Sequence, residues 1–237
     1  MQKIKQRFSL KLGSCLVAAA LLFLGPLSFP ASSQKPSASK EDLTRLIAGN
    51  RRFMQGRRRR VNYERERAAL IYEQHPYATV LSCSDSRVPP EIVFDESLGK
   101  LFVIRVAGNV VDLVALGSIE YAAEHLHSKL LLVLGHESCG AVKAAVDGGH
   151  YSPGIEAIVE KIKPAVEIAK RKHPDAIDIL PYAVVENIEL QTKSVLAQSE
   201  IISRLVENRE LKIASGEYWL RSGRVDIFPG IGEGSRK

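Results

Sequence analysis

Three continuous apolar runs, 77–81, 101–106 and 130–134, mark the middle of the chain, the last closed by Gly135. Each is too short for a core helix and rich in Val, Ile or Leu, which predicts strands buried on both faces. Segments with helical spacing lie around them. Leu43, Leu46, Ile47 and Phe53 recur at that spacing behind Ser39, a candidate N-cap, and form a helix that needs a partner surface. Further helices are predicted over 63–73, ending before His75-Pro76, and over 114–126, 155–172 and 188–208, with Pro174 closing the fourth. The tail, with short β-rich pieces at 211–213, 217–220 and 224–228 split by Ser-Gly pairs, predicts an edge strand or hairpin. No repeat is evident. Strands alternating with helices predict an α/β fold, a central and mostly parallel sheet covered by helices, in which ligands gather at the carboxyl ends of the strands. Cys83 follows the first run, and His136 and Cys139 follow the third.

Composition changes this picture only at the N-terminus. With 237 residues, 45% hydrophobic and 25% charged, the chain reads as an ordinary folded domain. Lys3, Lys5, Arg7 and Lys11 precede an apolar run at 16–24 and the small residues Ala31-Ser32-Ser33, the layout of a secretory signal peptide. The apolar stretch is short for a membrane span, and Cys15 stands ahead of it, where a lipidation box would follow it. The organisation expected is a signal peptide over 1–33, a linker over 34–40 and a catalytic domain over 41–237. It implies an exported, periplasmic or secreted protein without a stable span after cleavage. Cleavage removes those four basic residues and no acidic one, so the net charge falls from +6 to +2. The remaining basic cluster, 57–60 with Arg51 and Arg52 nearby, reads as a solvated helix end, with no nucleic-acid partner.

Once Cys15 leaves, Cys83 and Cys139 are the remaining thiols, and in an oxidising compartment such a pair ordinarily forms a disulfide. Their neighbours favour a metal. Cys83-Ser-Asp-Ser-Arg87 places a carboxylate and a guanidinium beside one thiol, and Gly135-His136-Glu137-Ser138-Cys139-Gly140 flanks the other two donors with glycines that let backbone approach. Zinc takes thiolate and imidazole ligands in tetrahedral geometry, and a catalytic site keeps the fourth position open. Cys83, His136 and Cys139 would fill three positions, and coordination would protect both thiols from oxidation.

These two segments resemble the paired Cys-x-Asp-x-Arg and His-x-x-Cys signatures of β-class carbonic anhydrases. The similarity extends to Gly49-Asn50-Arg51-Arg52-Phe53, Phe94-Asp95, Leu101-Phe102-Val103-Ile104-Arg105 and Gly117-Ser118-Ile119-Glu120-Tyr121-Ala122. The resemblance implies one Zn2+ per subunit and reversible hydration of carbon dioxide to bicarbonate and a proton, by attack of zinc-bound hydroxide. It gives Asp85 the task of orienting that hydroxide and Arg87 that of keeping Asp85 ionised and off the metal. It matches Gln74, two residues before Pro76, with Phe102 and Tyr121 to a substrate pocket contributed across a dimer interface, and sets Gly140 beside the substrate. It implies a homodimer or a multiple of dimers, with the N-terminal helical arm packed on the partner subunit.

Two positions depart from the family pattern. Arg105 is followed by Val106 where an asparagine is usual, and Val80 stands where a bicarbonate-regulated subset has tryptophan, which argues against that regulation. His125 and His127 read as helix-end dipole partners, and neither they nor His150 and His173 are assigned as proton shuttle. Three other readings stay open from sequence: a hydrolase of carbonyl sulfide or carbon disulfide on the same scaffold, a zinc-stabilised binding module with Asp85 closing the tetrahedron, and a redox pair of Cys83 and Cys139.

Overall fold

A computed structural model of the chain describes residues 38–229, with side chains from 41 onward. The expected signal peptide and all but the end of the expected linker lie outside the described residues. Five strands form one sheet: β1 (Ala78–Ser82), β2 (Leu101–Arg105), β3 (Leu130–His136), β4 (Lys212–Tyr218) and β5 (Val225–Ile227), in the order β2-β1-β3-β4-β5. The first four run parallel, with Ala78 opposite Leu101, Thr79 opposite Leu131 and Leu130 opposite Lys212, and β5 returns antiparallel to β4. The predicted α/β class holds, and the three continuous apolar runs are β1, β2 and β3. Strands β1 and β3 are buried throughout, whereas β2 is the edge strand and is only part-buried beyond Leu101, so it is not covered on both faces as expected.

Period-2 geometry explains why those runs lack alternation. Leu81, Leu131 and Val133 point into one core, with Ile162, Val184 and Ile188; Val80, Leu132 and Leu134 point into another, with Leu46 and Phe94. Helices cover both faces, so both sets of positions must be apolar. The covering elements are α1 (Ala38–Met54), α2 (Tyr63–Ala69), α3 (Pro90–Val93), α4 (Leu113–Glu124), α5 (Gly140–Asp147), α6 (Pro153–Lys172), α7 (Leu180–Gln198) and α8 (Glu200–Glu207).

Several boundaries differ from the periodicity. Helix α1 begins at Ala38, which puts Ser39 inside its first turn and not at its cap. The helix predicted to reach residue 73 stops at Ala69, since α2 buries none of its residues and has no core contact to extend it. The stretch 188–208 is two helices, because Ser199 adopts an extended conformation and caps α8 by accepting from the Ile202 N–H at 3.1 Å. The tail pieces 211–213 and 217–220 belong to one internal strand, β4, which continues through Gly216, where a Cβ would lie 2.5 Å from the Asp226 carbonyl oxygen.

The basic cluster lies exposed past the end of α1, as expected, but Arg52, Arg58 and Arg59 also pair with two buried carboxylates. Asp95 and Glu96 are buried at the turn after α3. Arg52 donates to Asp95 at 2.5 Å, and the Arg59 backbone N–H donates to the same carboxylate at 3.1 Å. Glu96 accepts from Arg45, from Arg59 and from the Tyr77 hydroxyl, each at 2.9 Å. Burial alone would raise the Asp95 pKa, but Arg52 and Arg59 outweigh it and hold the carboxyl below its ordinary value. A depressed folded-state pKa gives stability that is present above the unfolded value, about 3.9 for aspartate, and is lost as pH falls through the folded value. Asp95→Asn is therefore expected to cost about 2 kcal/mol near neutral pH and to flatten the acid limb of a pH–stability curve measured by urea unfolding.

Candidate metal centre

Because β1 and β3 are parallel neighbours, their carboxyl ends emerge side by side. Cys83 is the first residue beyond β1, His136 is the last of β3, and Cys139 is the N-cap of α5. The turn joining the last two passes through Ser138 in the left-handed region, φ 56°. Gly135 lets α7 approach, since a Cβ there would overlap the Ile188 side chain, meeting its Cδ1 at 2.5 Å.

One ligating atom from each of Cys83, His136 and Cys139 lies within 4.8 Å of the others, and all three residues are buried. The sulfurs are 4.0 Å apart and unbonded. That separation is far from a disulfide and close to the roughly 3.8 Å that two thiolates on tetrahedral zinc require. His136 Nδ1 is 2.9 Å from the Glu137 carbonyl oxygen, which assigns the ring proton to Nδ1 and leaves the Nε2 lone pair facing the thiols. Nε2 is buried and has no hydrogen-bond partner. Such an atom is costly unless a ligand completes it. Two thiols and an unpaired imidazole nitrogen, converging at zinc-ligand spacing, fit zinc.

The electrostatics are graded across the site. Cys83 is the thiol whose pKa is lowered, by the hydrogen bond from Cys139 first and against the cost of burial, while the same contact and burial push Cys139 up. Asp85 accepts from Arg87 through Nε at 2.9 Å, Nη2 at 2.7 Å and the backbone N–H at 2.9 Å. This fork holds its carboxyl well below the usual carboxylate range. Its Oδ2 stands 3.9 Å from His136 Nε2, beside the three donors and outside them. The loop carrying Asp85 has a brace that sequence reasoning missed: Arg105, at the end of β2, donates to the carbonyls of Cys83 at 3.1 Å and Asp85 at 2.5 Å. A cation closing a strand beside the first motif was the available signal.

The expected pocket residues lie apart from this cluster within the chain. Gln74 and Tyr121 line an open cleft of about 720 Å³ with Ile71, Tyr72 and Leu126, and none of Cys83, Asp85, His136 and Cys139 lines it. The Phe102 ring is 6.2 Å from that of Tyr121. Gly140 opens α5 beside Cys139 with open space where a Cβ would stand. Among the histidines, His125 packs on Tyr121 and His173 stacks on Tyr182 at 3.8 Å.

Comparison with known proteins agrees with this geometry. The family model described as carbonic anhydrase matches residues 78–225. The chain is 38% identical over 193 residues to carbonic anhydrase 2 of Mycobacterium tuberculosis, covering 79% of this chain and 91% of that one. It superimposes on the β-carbonic anhydrase CcaA with a TM-score of 0.63 and 28% identity, over 78% of this chain and 94% of that one. A tetrameric β-carbonic anhydrase of Sordaria macrospora, at 22% identity, shares the fold with a TM-score of 0.64 over 80% and 94% of the two chains. The chain belongs to the β-carbonic anhydrase family.

Proposed function

We propose that this chain is an exported, homodimeric carbonic anhydrase in which Cys83, His136 and Cys139 hold one zinc ion and Asp85, fixed by Arg87, directs the reaction. The observation that carries the reading is the Asp85 carboxylate, forked onto Arg87 and 3.9 Å from the unpaired His136 Nε2. Zinc bound there supplies Lewis acidity, which brings water into the range where it ionises near neutral pH. Asp85 is ionised and acceptor-only, so it takes a hydrogen bond from the attacking O–H and turns the oxygen lone pair toward the carbon of carbon dioxide. Arg87 occupies both Asp85 oxygens and keeps them off the metal. Its exposed side chain sets the dyad at the solvent edge, where the product proton leaves.

Carbon dioxide is linear and weakly polar, and Phe102 and Tyr121 offer it apolar walls while the Gln74 amide donates to a bicarbonate oxygen. A second copy of the chain would bring these residues to the metal. Supporting that, α2 buries nothing, Tyr72 is 96% exposed, and Ile71, Leu113 and Val114 are exposed beside it in sequence or on α4. Patches of this kind mark association surfaces. Charging the face with Ile71→Glu and Tyr72→Glu is expected to yield monomers in sedimentation velocity and to lower hydration at least about tenfold, since misplaced substrate groups forfeit orientation.

Stopped-flow hydration of carbon dioxide, run beside sulfide release from carbonyl sulfide, tests the activity; sulfide release exceeding hydration would overturn it. Export is tested by N-terminal sequencing of protein recovered from the periplasmic fraction. The reading expects a start close to Gln34, and an intact Met1 in the cytosolic fraction contradicts it.

A further inference from the structure

Two amide side chains lie deep in the protein with no contact to the metal-binding triad. Asn187 and Gln191 are 1% and 2% exposed, one turn apart on the same face of α7. Core positions rarely carry such groups, and their hydrogen bonds all go to backbone of other elements or to each other. Asn187 Nδ2 donates to the Gly108 carbonyl at 2.8 Å, and Gln191 Nε2 donates to Asn187 Oδ1 at 3.1 Å and to the Lys161 carbonyl at 3.3 Å. Gln191 Oε1 accepts from the Val111 N–H at 2.8 Å.

The amides thus grip both ends of the stretch 108–111. That stretch needs gripping, because Gly108 and Asn109 both adopt left-handed backbone, φ 67° and 46°, and the second of them is not a glycine. Such conformations persist where the surroundings over-determine them. The packing there is tight as well: a Cβ on Gly108 would meet Ile162 Cδ1 at 2.7 Å. Held this way, the Gly108 N–H donates to Cys83 Sγ at 3.3 Å.

A hydrogen bond to a ligand sulfur draws electron density away from the metal. It matters in this site because two thiolates neutralise the zinc dication and make it a weaker Lewis acid than three imidazoles would. We propose that Asn187 and Gln191 are positioning residues for the metal centre: by fixing the 108–111 turn they hold the Gly108 N–H on Cys83 and keep a doubly thiolate-ligated metal electrophilic. The role rests on the zinc-site reading above.

Cobalt(II) replacing zinc reports sulfur donation directly through its sulfur-to-metal charge-transfer band. In Asn187→Leu, a near-isosteric change, that band is expected at longer wavelength than in the unaltered protein, with kcat of the zinc form down about tenfold and KM nearly unchanged. Thr192→Val is the control. Thr192 is buried on the same helix and donates to the Ile188 carbonyl at 2.7 Å without touching the 108–111 turn, so it should leave the band in place. Should Asn187→Leu not fold, Gln191→Met reads the same band through the next hydrogen bond. An unmoved band in folded Asn187→Leu or Gln191→Met, or an equal shift in Thr192→Val, overturns the positioning role. Failure of cobalt to bind the unaltered protein overturns the zinc-site reading beneath it.

Discussion

Asp85→Asn is expected to lower carbon dioxide hydration by about 10²- to 10⁴-fold, the range typical of a lost proton-handling group, while zinc stays at one per chain. The amide keeps the shape of the carboxylate but loses its charge and presents a donor where an acceptor is needed. Arg87 is left without its bidentate partner, so the fork that fixes the side chain also goes. Zinc retention separates this outcome from loss of the site. It separates it too from a binding module in which Asp85 closes the tetrahedron, where the same change would weaken zinc and leave no hydration to lose. In this structure both Asp85 oxygens are engaged by Arg87, and the nearest His136 nitrogen is 3.9 Å away.

The second expected result concerns the ligands. His136→Ala and Cys139→Ser should each abolish hydration and drop zinc below stoichiometry after dialysis, because a three-donor site reduced to two is a poor tetrahedral template. Stability should fall as well. Zinc at a thousandfold excess over its dissociation constant adds about 4 kcal/mol to a fold that binds it only in the native state. Chelation of the unaltered protein should therefore lower its melting temperature and expose two titratable thiols. With sulfurs 4.0 Å apart, those thiols should then close to a disulfide in air. Zinc added before oxidation should prevent it, which separates a metal site from a redox pair.

How much of this was legible in the sequence differs between site and scaffold. The ligands and the Asp85–Arg87 pair were readable because five residues of four side-chain chemistries are packed into two short segments, each next to an apolar run long enough to be a strand. Strands β1, β2 and β3 were readable as continuous apolar runs. What escaped depends on partners remote in sequence. Nothing local tells Ser199 to break one helix into two, and the buried polar residues Glu186, Asn187, Gln191 and Thr192 mask the apolar face of α7, which begins at Leu180, eight residues before its periodicity shows. The exposed arginine run hides its pairing because Asp95, its partner, lies 36 residues from Arg59. The bracing role of Arg105 is not local either, since it depends on the register that sets it opposite Ser82. The family resemblance supplied Gln74, Phe102 and Tyr121, which spacing alone would not have joined; the structure brings Gln74 and Tyr121 to one cleft with the Phe102 ring close by.

Zinc content and stopped-flow carbon dioxide hydration, measured on one sample at about pH 8.5, an alkaline value at which a bound zinc would favour hydroxide over water, bear most directly on the chain being a zinc-dependent hydratase. The result expected is one zinc per chain with hydration that disappears on chelation and returns with zinc. Stoichiometric zinc without hydration would contradict it.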